Sequence, residues 1–303
     1  MTELTDFQQK ISALLPDMDL CFAETLAKHT SFRIGGPAEV MAFPKNTEEL
    51  SKLLRTAAQL QVKPAILGAG TNVLAADEGI PGLCICLKDC MDGMEVLDAA
   101  RICVMAGVTM SRAAVFAANH GLSGMEFAHG IPGTVGGGVY MNAGAYGGEI
   151  CGICESVDVM DLQGNLRTLS KEEMQFSYRH SILEDEGGIV VSAVFRLEAK
   201  NADEIKARMK ELQRKRSASQ PLELPSAGSA FKRPVGGYAA ALIDQAGLKG
   251  FQVGGAAIST KHAGFVVNMG GATAEDVKQL LKQVSDRVYE NSGIRLEPEV
   301  RIW

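Results

Sequence analysis

Three short polar clusters carry the residue types of acid–base and anion chemistry. They are Tyr178-Arg179-His180-Ser181, the run from Ser226 to Pro234 that holds Ser229, Lys232 and Arg233, and Glu297-Pro298-Glu299-Val300-Arg301. The planar fork of an arginine can hold a carboxylate through two charge-assisted hydrogen bonds, a serine hydroxyl can relay a proton, and a carboxylate can accept or return one. Taken singly, each has an ordinary reading: Arg179 as a surface ion-pair residue, Ser229 as a turn residue beside Gly228, Glu299 as a solvated strand residue. Turns shaped to approach a ligand would raise their weight, because binding and catalytic groups are commonly carried on loops held by a rigid frame.

Such turns are present. Between Gly121 and Ile150, ten of thirty residues are glycine, yet the stretch is strongly apolar and unlike a flexible linker. Glycine loses more backbone entropy on folding than any other residue, so this density implies backbone that takes positive φ or approaches something closely. Pro132 fixes one φ between Gly130 and Gly133, and Gly136, Gly137 and Gly138 place three successive amides without side chains, a composition suited to cradling phosphate. A tightly packed, turn-rich core without a ligand is the competing reading. A second glycine turn, Gly68-Ala69-Gly70-Thr71-Asn72, follows an apolar run, but Val73 stands at the third glycine position of a dinucleotide fingerprint and no helix opens there. No P-loop pattern occurs either, so neither a Rossmann site nor a P-loop nucleotidase is supported.

The elements that must position these turns follow from periodicity. The pattern predicts helices over Leu4 to Leu15, from Asn46 through Leu60, from Thr109 to Asn119, a short one opened by Ser170 and Glu173, one from Ala202 to Arg216, one around Tyr238 to Gln245, and one opening near Thr273 or Ala274. Predicted strands are Glu39 to Phe43, Pro64 to Leu67, Gly82 to Leu87, Arg101 to Met105, Glu155 to Leu162, Ile189 to Leu197, Gly264 to Asn268 and Arg295 to Trp303. The two kinds alternate irregularly without a repeat, which gives α+β and not a doubly wound sheet. A proline-punctuated connector from Ser217 to Pro225 marks a composition change, and the domain boundary is placed near residue 200.

With 303 residues the chain can bury two or three cores, and at 46% hydrophobic and 22% charged it falls in the globular class. Thirty basic against thirty-six acidic side chains, net −6, argue against general affinity for nucleic acid or anionic membrane. No run approaches the about 18 apolar residues of a membrane span and no export signal is seen, so a cytoplasmic protein is expected, with its seven cysteines reduced. Cys151 and Cys154 have the spacing of a redox or metal pair, but no second pair follows; structural thiols and no metal are the expectation.

The motifs together resemble the UDP-N-acetylenolpyruvoylglucosamine reductase family. The matching segments are Thr30 to Gly36, Leu67 to Asn72, Gly130 to Gly137, Tyr140 to Gly147, Tyr178-Arg179, Gly228-Ser229 and Glu299 to Arg301, in the family's order, with Asn142-Ala-Gly-Ala-Tyr-Gly147 the most specific. The resemblance implies a two-lobed FAD-binding domain of the vanillyl-alcohol-oxidase type over residues 1–199, with a lobe boundary near 80–90. A smaller α+β substrate domain follows over 200–303, its last strand returning toward the flavin. Cofactor contacts are implied at Gly68, Ala69, Gly70, Thr71 and Asn72, at Gly130, Ile131, Pro132, Gly133, Thr134, Gly136 and Gly137, at Asn142, Ala143 and Gly144, and at Arg216.

The activity implied is NADPH-dependent reduction of an enolpyruvyl ether on a UDP-sugar, giving UDP-N-acetylmuramate for peptidoglycan. Hydride adds to the terminal carbon of a double bond conjugated to a carboxylate, and the charge left as an enolate matches Arg179 and Glu299 as stabilisers and Ser229 as proton donor. Tyr178, Lys232, Arg233 and Lys261 stand as anion or sugar contacts, Lys232 also as a cation assisting Ser229, and Glu297 as a fallback for Glu299. The chain resembles the shorter branch of the family, because the interval from Arg179 to Ser229 has no room for the longer branch's inserted element. Two other readings stay open: a related flavin oxidase that uses dioxygen, and a non-catalytic nucleotide-sugar-binding module.

Overall fold

The computed structural model describes residues 4–303. These fall into two compact units of interleaved segments: a first unit of the chain up to Phe22, Glu39–Ala69 and Gly82–Lys215, and a second of Ala23–Ala38, Gly70–Pro81 and Arg216–Trp303. The division differs from the expected boundary near residue 200. Two N-terminal segments belong with the C-terminal unit, because their contacts are with residues far away in sequence. One such contact is made by Asp77, whose carboxylate oxygens accept the N–H groups of Ala274 and Glu275 at 2.8 and 3.2 Å. A carboxylate there satisfies donors that a helix start leaves unpaired.

The first unit is built on a five-stranded antiparallel sheet in the order Leu166–Ser170, Cys154–Met160, Ile189–Arg196, Arg101–Met105, Met94–Val96. Its central strand is almost entirely buried, which is why Ile189 to Phe195 reads as a near-continuous apolar run. The helices Met110–Asn119 and Val135–Tyr140 pack against each other, and the second lies on the central strand. The amphipathic helix Thr47–Gln59 is capped by Asn46, whose side chain accepts the Glu49 N–H, and buries Leu50, Leu53, Leu54 and Ala57. A four-stranded sheet runs in the order Leu20–Thr25, Pro37–Ala42, Ile80–Cys86, Ala65–Leu67. In it Leu67 pairs in parallel with Cys86, and this strand delivers the chain into Gly68.

The second unit has an antiparallel sheet ordered Ser226–Ser229, Phe265–Asn268, Ala256–Ile258, Gln252–Val253. The helix Ala274–Ser292 buries Val277, Leu280, Leu281, Val284 and Val288 in a core with Phe32, Ile34 and Leu74. A Thr273–Asp276 capping box starts this helix and left-handed Gly293 ends it. The last strand, Arg301–Ile302, pairs in parallel with Val73–Leu74 directly after the second glycine turn.

The α+β class holds, with four local departures. Ser170 and Glu173 make the reciprocal hydrogen bonds of a capping box, at 2.7 and 3.2 Å, yet no helix follows. Ser170 instead ends a strand, and left-handed Gln175 closes a turn. The predicted final strand shrinks to Arg301–Ile302, since Pro298 offers no ladder donor. The helix expected to end at Arg216 runs on to Ser219, three residues into the predicted connector. Gly136, Gly137 and Gly138 lie inside the Val135–Tyr140 helix. Among the described residues no helix is long and apolar enough to cross a membrane.

Candidate active site

The glycines of the long run divide into two kinds. A Cβ on Gly136 would meet Ala106 Cβ at 2.9 Å and one on Gly138 would meet Met110 Sδ at 2.8 Å, so these two permit close packing. Their amides are already engaged: Gly136 donates to Ala106 O at 2.9 Å, Gly138 to Thr134 O at 2.8 Å, and Gly137 to Thr134 Oγ1 at 3.3 Å. The three-amide phosphate cradle expected there is therefore replaced by helix and cap bonds, and for these residues the packed-core reading holds.

A different set of amides takes that place. Thr134, only 2% exposed, lies against Gly68, where an added Cβ would fall 2.5 Å from Thr134 Oγ1. The loop before it is tied down by Met110 N donating to Gly133 O at 2.9 Å and Val135 N to Val108 O at 2.7 Å. Among the described residues, the N–H groups of Gly68, Ala69, Gly133 and Thr134 find no acceptor in the protein. Native structures pair nearly all buried main-chain donors, and of these four residues Thr134 is buried and the others half-buried. Main-chain donors gathered on two abutting turns without a protein acceptor are a fitting receptor for an anionic oxygen-rich group. A dinucleotide pyrophosphate meets that description. Gly130 and Ile131 bend into this loop, Ile131 N donating to Ala128 O at 3.0 Å, and Pro132 stands exposed.

Arg179 sits on a tight hairpin in the same unit. Ser177 and His180 exchange backbone hydrogen bonds of 3.1 and 3.2 Å, leaving Tyr178 and Arg179 as the central pair, and Arg179 takes a left-handed φ of 56°. Its guanidinium donates to Gly144 O at 3.1 Å and Asn142 O at 3.5 Å and stands 4.9 Å over the exposed Tyr178 ring. Ser181, fully buried, anchors the hairpin by donating to Tyr140 O at 2.8 Å. The structure thus brings Arg179 to the Asn142–Ala143–Gly144 segment. The side chain of Asn142, expected at the cofactor, is held at both ends by protein: its oxygen accepts Cys151 N and its amide donates to Ser177 O.

In the second unit Glu299 is tied to Asn72 and to Ala230, the residue after Ser229. Glu299 N donates to Ala230 O at 2.9 Å, and Asn72 Nδ2 donates to Glu299 O at 3.2 Å. Gly70, at φ 59°, comes so close to His29 that a Cβ would lie 2.2 Å from its carbonyl oxygen. Ser229 ends the strand Ser226–Ser229 after a bulge, with Gly228 at φ 75°. A bulge re-aims the side chain that follows it, and the Ser229 hydroxyl is exposed with no hydrogen bond among the described residues.

The cationic candidates are more engaged than expected. Lys232 forms an ion pair with Glu297, which removes Glu297 as a ready substitute for Glu299 and gives Lys232 a structural partner. Lys261 donates to Ser217 O at 2.8 Å, and Arg233 lies 4.1 Å over the exposed Tyr238 ring. Arg216 is buried, and four residues on, Gln220 has a buried Oε1 with no hydrogen-bond partner. Sequence reasoning passed over Gln220, whose only signal was its position before Pro221. Burial pushes the Cys154 thiol up to about 12 and also raises Cys151, so both remain protonated near neutrality. No metal-holding cluster of His, Cys, Asp or Glu occurs among the described residues.

Residues 38–170 match the FAD binding domain family, and residues 220–303 match the C-terminal domain of UDP-N-acetylenolpyruvoylglucosamine reductase. The chain is 45% identical over 293 residues to the UDP-N-acetylenolpyruvoylglucosamine reductase of Caldanaerobacter subterraneus subsp. tengcongensis, spanning 97% of this chain and 96% of that one. Identity to the enzyme of Agathobacter rectalis is 46% over 307 residues, 98% of each chain. The crystal structure of the Thermus caldophilus enzyme is similar with a TM-score of 0.79 at 37% identity, covering 94% of this chain and 98% of that one. A variant of Phl p 4 described as a glucose oxidase shares the fold alone, with a TM-score of 0.50 at 14% identity over 64% of this chain and 44% of its own.

Proposed function

The chain belongs to the UDP-N-acetylenolpyruvoylglucosamine reductase family, and from that premise we propose how its own residues reduce the enolpyruvyl ether of the UDP-sugar to UDP-N-acetylmuramate. It is an FAD-dependent oxidoreductase with NADPH as reductant, acting in the synthesis of a peptidoglycan precursor. When bound, FAD supplies a two-electron relay between NADPH and the terminal carbon of the enolpyruvyl group. The observation that carries this reading is the set of unpaired amides at Gly68, Ala69, Gly133 and Thr134, which suits the pyrophosphate of that cofactor. Gly70, Thr71 and Asn72, Gly130 to Pro132, Ala143, Gly144 and Arg216 are its further contacts in this proposal, while Gly136 and Gly137, expected among them, keep their amides within the protein.

Reduction of a double bond conjugated to a carboxylate places negative charge on that carboxylate, and Arg179 answers it. Its guanidinium is held by the carbonyls of Asn142 and Gly144, so it needs little reorganisation when charge develops. Glu299 hydrogen-bonds the enol form. The open Ser229 hydroxyl donates the proton to the carbon that bears the ether oxygen. Tyr178 and Arg233 contact the sugar or its diphosphate, and Lys232 and Lys261 exchange their present partners for substrate. We place the protein in the cytoplasm without a nucleic-acid partner, in keeping with a net charge of −6.

Anaerobic incubation with FAD, NADPH and the enolpyruvyl nucleotide tests the reading. Oxidation of NADPH should require the nucleotide and yield a product heavier by two hydrogens in mass spectrometry. NADPH oxidation that requires dioxygen instead would identify an oxidase, and a colourless protein that binds the nucleotide unchanged would identify a binding module.

A further inference from the structure

Two left-handed residues that are not glycine face each other in the first unit: Asn142 at φ 43° and Arg179 at φ 56°. Left-handed backbone is uncommon for residues with a side chain and is tolerated best by asparagine and aspartate, while glycine adopts it freely. Where only the backbone angle mattered glycine would serve, as it does at Gly133 and Gly147 nearby. Asn142 keeps a side chain at such an angle, as Tyr146 does at φ 54°, and its hydrogen bonds show what that side chain holds.

Asn142 is 1% exposed, and its amide is fully committed. Oδ1 accepts Cys151 N at 2.9 Å, while Nδ2 donates to Ser177 O at 2.9 Å and to Glu149 Oε2 at 3.4 Å. Reversing the amide would set donor against donor at Cys151 and acceptor against acceptor at Ser177, so only one orientation fits. The Ser177 carbonyl also accepts His180 N at 3.2 Å, the bond that closes the turn carrying Arg179. At the same time the main-chain oxygen of Asn142 accepts from the Arg179 guanidinium. One buried residue thus holds both the backbone of the Arg179 turn and the head of its side chain.

We propose that Asn142 is a positioning residue for Arg179, acting through its side-chain grip on the Ser177–His180 turn and not as a ligand of the flavin. The proposal rests on the role given to Arg179 above. Loss of the amide releases the Ser177 carbonyl and lets the turn relax, so the guanidinium drifts from the place where the enolate forms. Cofactor binding, which draws on other groups, stays intact.

The test uses Asn142→Gly, which keeps the left-handed backbone, and Asn142→Asp, which keeps shape and the Cys151 acceptor but sets a carboxylate against the Ser177 carbonyl. The isosteric variant guards against failure of the glycine variant to fold. Arg179→Lys and the Asn142→Gly/Arg179→Lys double variant complete a cycle. Both single Asn142 variants should purify with the wild-type ratio of FAD to protein and be reduced by NADPH within about threefold of the wild-type rate, while reoxidation by the enolpyruvyl nucleotide falls about 10- to 100-fold, as misplacement of a catalytic group does. The double variant should be no slower than Arg179→Lys alone, because the two residues act as one unit.

Loss of FAD from the Asn142 variants would make the residue a cofactor contact and overturn the proposal. So would unchanged reoxidation, or losses that multiply in the double variant. If Arg179→Lys by itself leaves reoxidation unchanged, the role of Arg179 fails and takes the proposal with it, a result separable from failure at Asn142 alone.

Discussion

The turn that carries Arg179 and the bulge that carries Ser229 present their side chains by opposite means. Arg179 is itself the left-handed residue, half-buried, with its guanidinium bonded to two main-chain carbonyls. Ser229 delegates the unusual backbone angle to Gly228 and leaves its hydroxyl exposed and unbonded among the described residues. The difference matches the tasks proposed for the two residues. A group that stabilises developing charge acts best when it is already aligned, because reorganisation during the reaction would consume the advantage. A proton donor must instead exchange partners in every turnover, so a hydroxyl locked in a protein hydrogen bond would serve poorly.

The largest expected effect attacks the exposed member. Ser229→Ala should slow reoxidation of the reduced protein by the enolpyruvyl nucleotide by about 10²–10⁴, the usual contribution of a positioned general acid, with flavin reduction by NADPH retained. Stopped-flow absorbance of the two half-reactions decides this, and unchanged reoxidation removes Ser229 from the mechanism. Arg179→Lys comes next, with a loss of about 10²-fold, since a point charge cannot reproduce a fork held by Asn142 and Gly144 carbonyls. Near-normal turnover would mean that the aligned geometry does nothing for the chemistry.

Gly228→Ala tests the delegated angle. At φ 75° a Cβ has open space around it, so the penalty is conformational, about 1–2 kcal/mol in urea unfolding. No loss of stability would show that the bulge does not require glycine. Smallest is the effect expected at Cys154, remote in role from both turns. Burial drives its thiol to about 12, so it stays protonated and inert at pH 8, where a thiol with an ordinary value is partly ionised. Mass spectrometry should find Cys154 alkylated only after unfolding. Ready labelling of the native protein would revive a redox role for the Cys151/Cys154 pair.

Legibility in the sequence follows the range of the forces involved. The helices capped by Asn46, Thr109 and Thr273 are readable because cap and apolar stripe are local features. Strands Leu20–Thr25 and Ala256–Ile258 escape notice, being short segments whose ladder partners, not their own composition, make them strands. Ser170 and Glu173 show the converse, a local capping signal whose hydrogen bonds form while the following residues turn away from helix. The interleaving of units is invisible for the same reason: nothing near Asp77 announces that it meets Ala274.

For the candidate site, the sequence offers members by type and motif but not their bonding. Arg179, Ser229 and Glu299 stand out by type and motif, and the glycine turns by composition. Which amides remain unpaired was not readable, because glycine density looks alike whether a helix packs closely, as at Gly136 and Gly138, or a loop keeps its donors open, as at Gly68 and Gly133. The commitment of Lys232 to Glu297 joins residues 65 positions apart and leaves no local trace.

The most direct test of the account is to supply the purified wild-type protein with FAD, remove oxygen, add one equivalent of NADPH, and then add the enolpyruvyl nucleotide while following flavin absorbance. The account expects rapid bleaching and then full recovery of colour in step with formation of UDP-N-acetylmuramate. A protein that takes up no FAD, or one whose colour returns only when air is admitted, would contradict it.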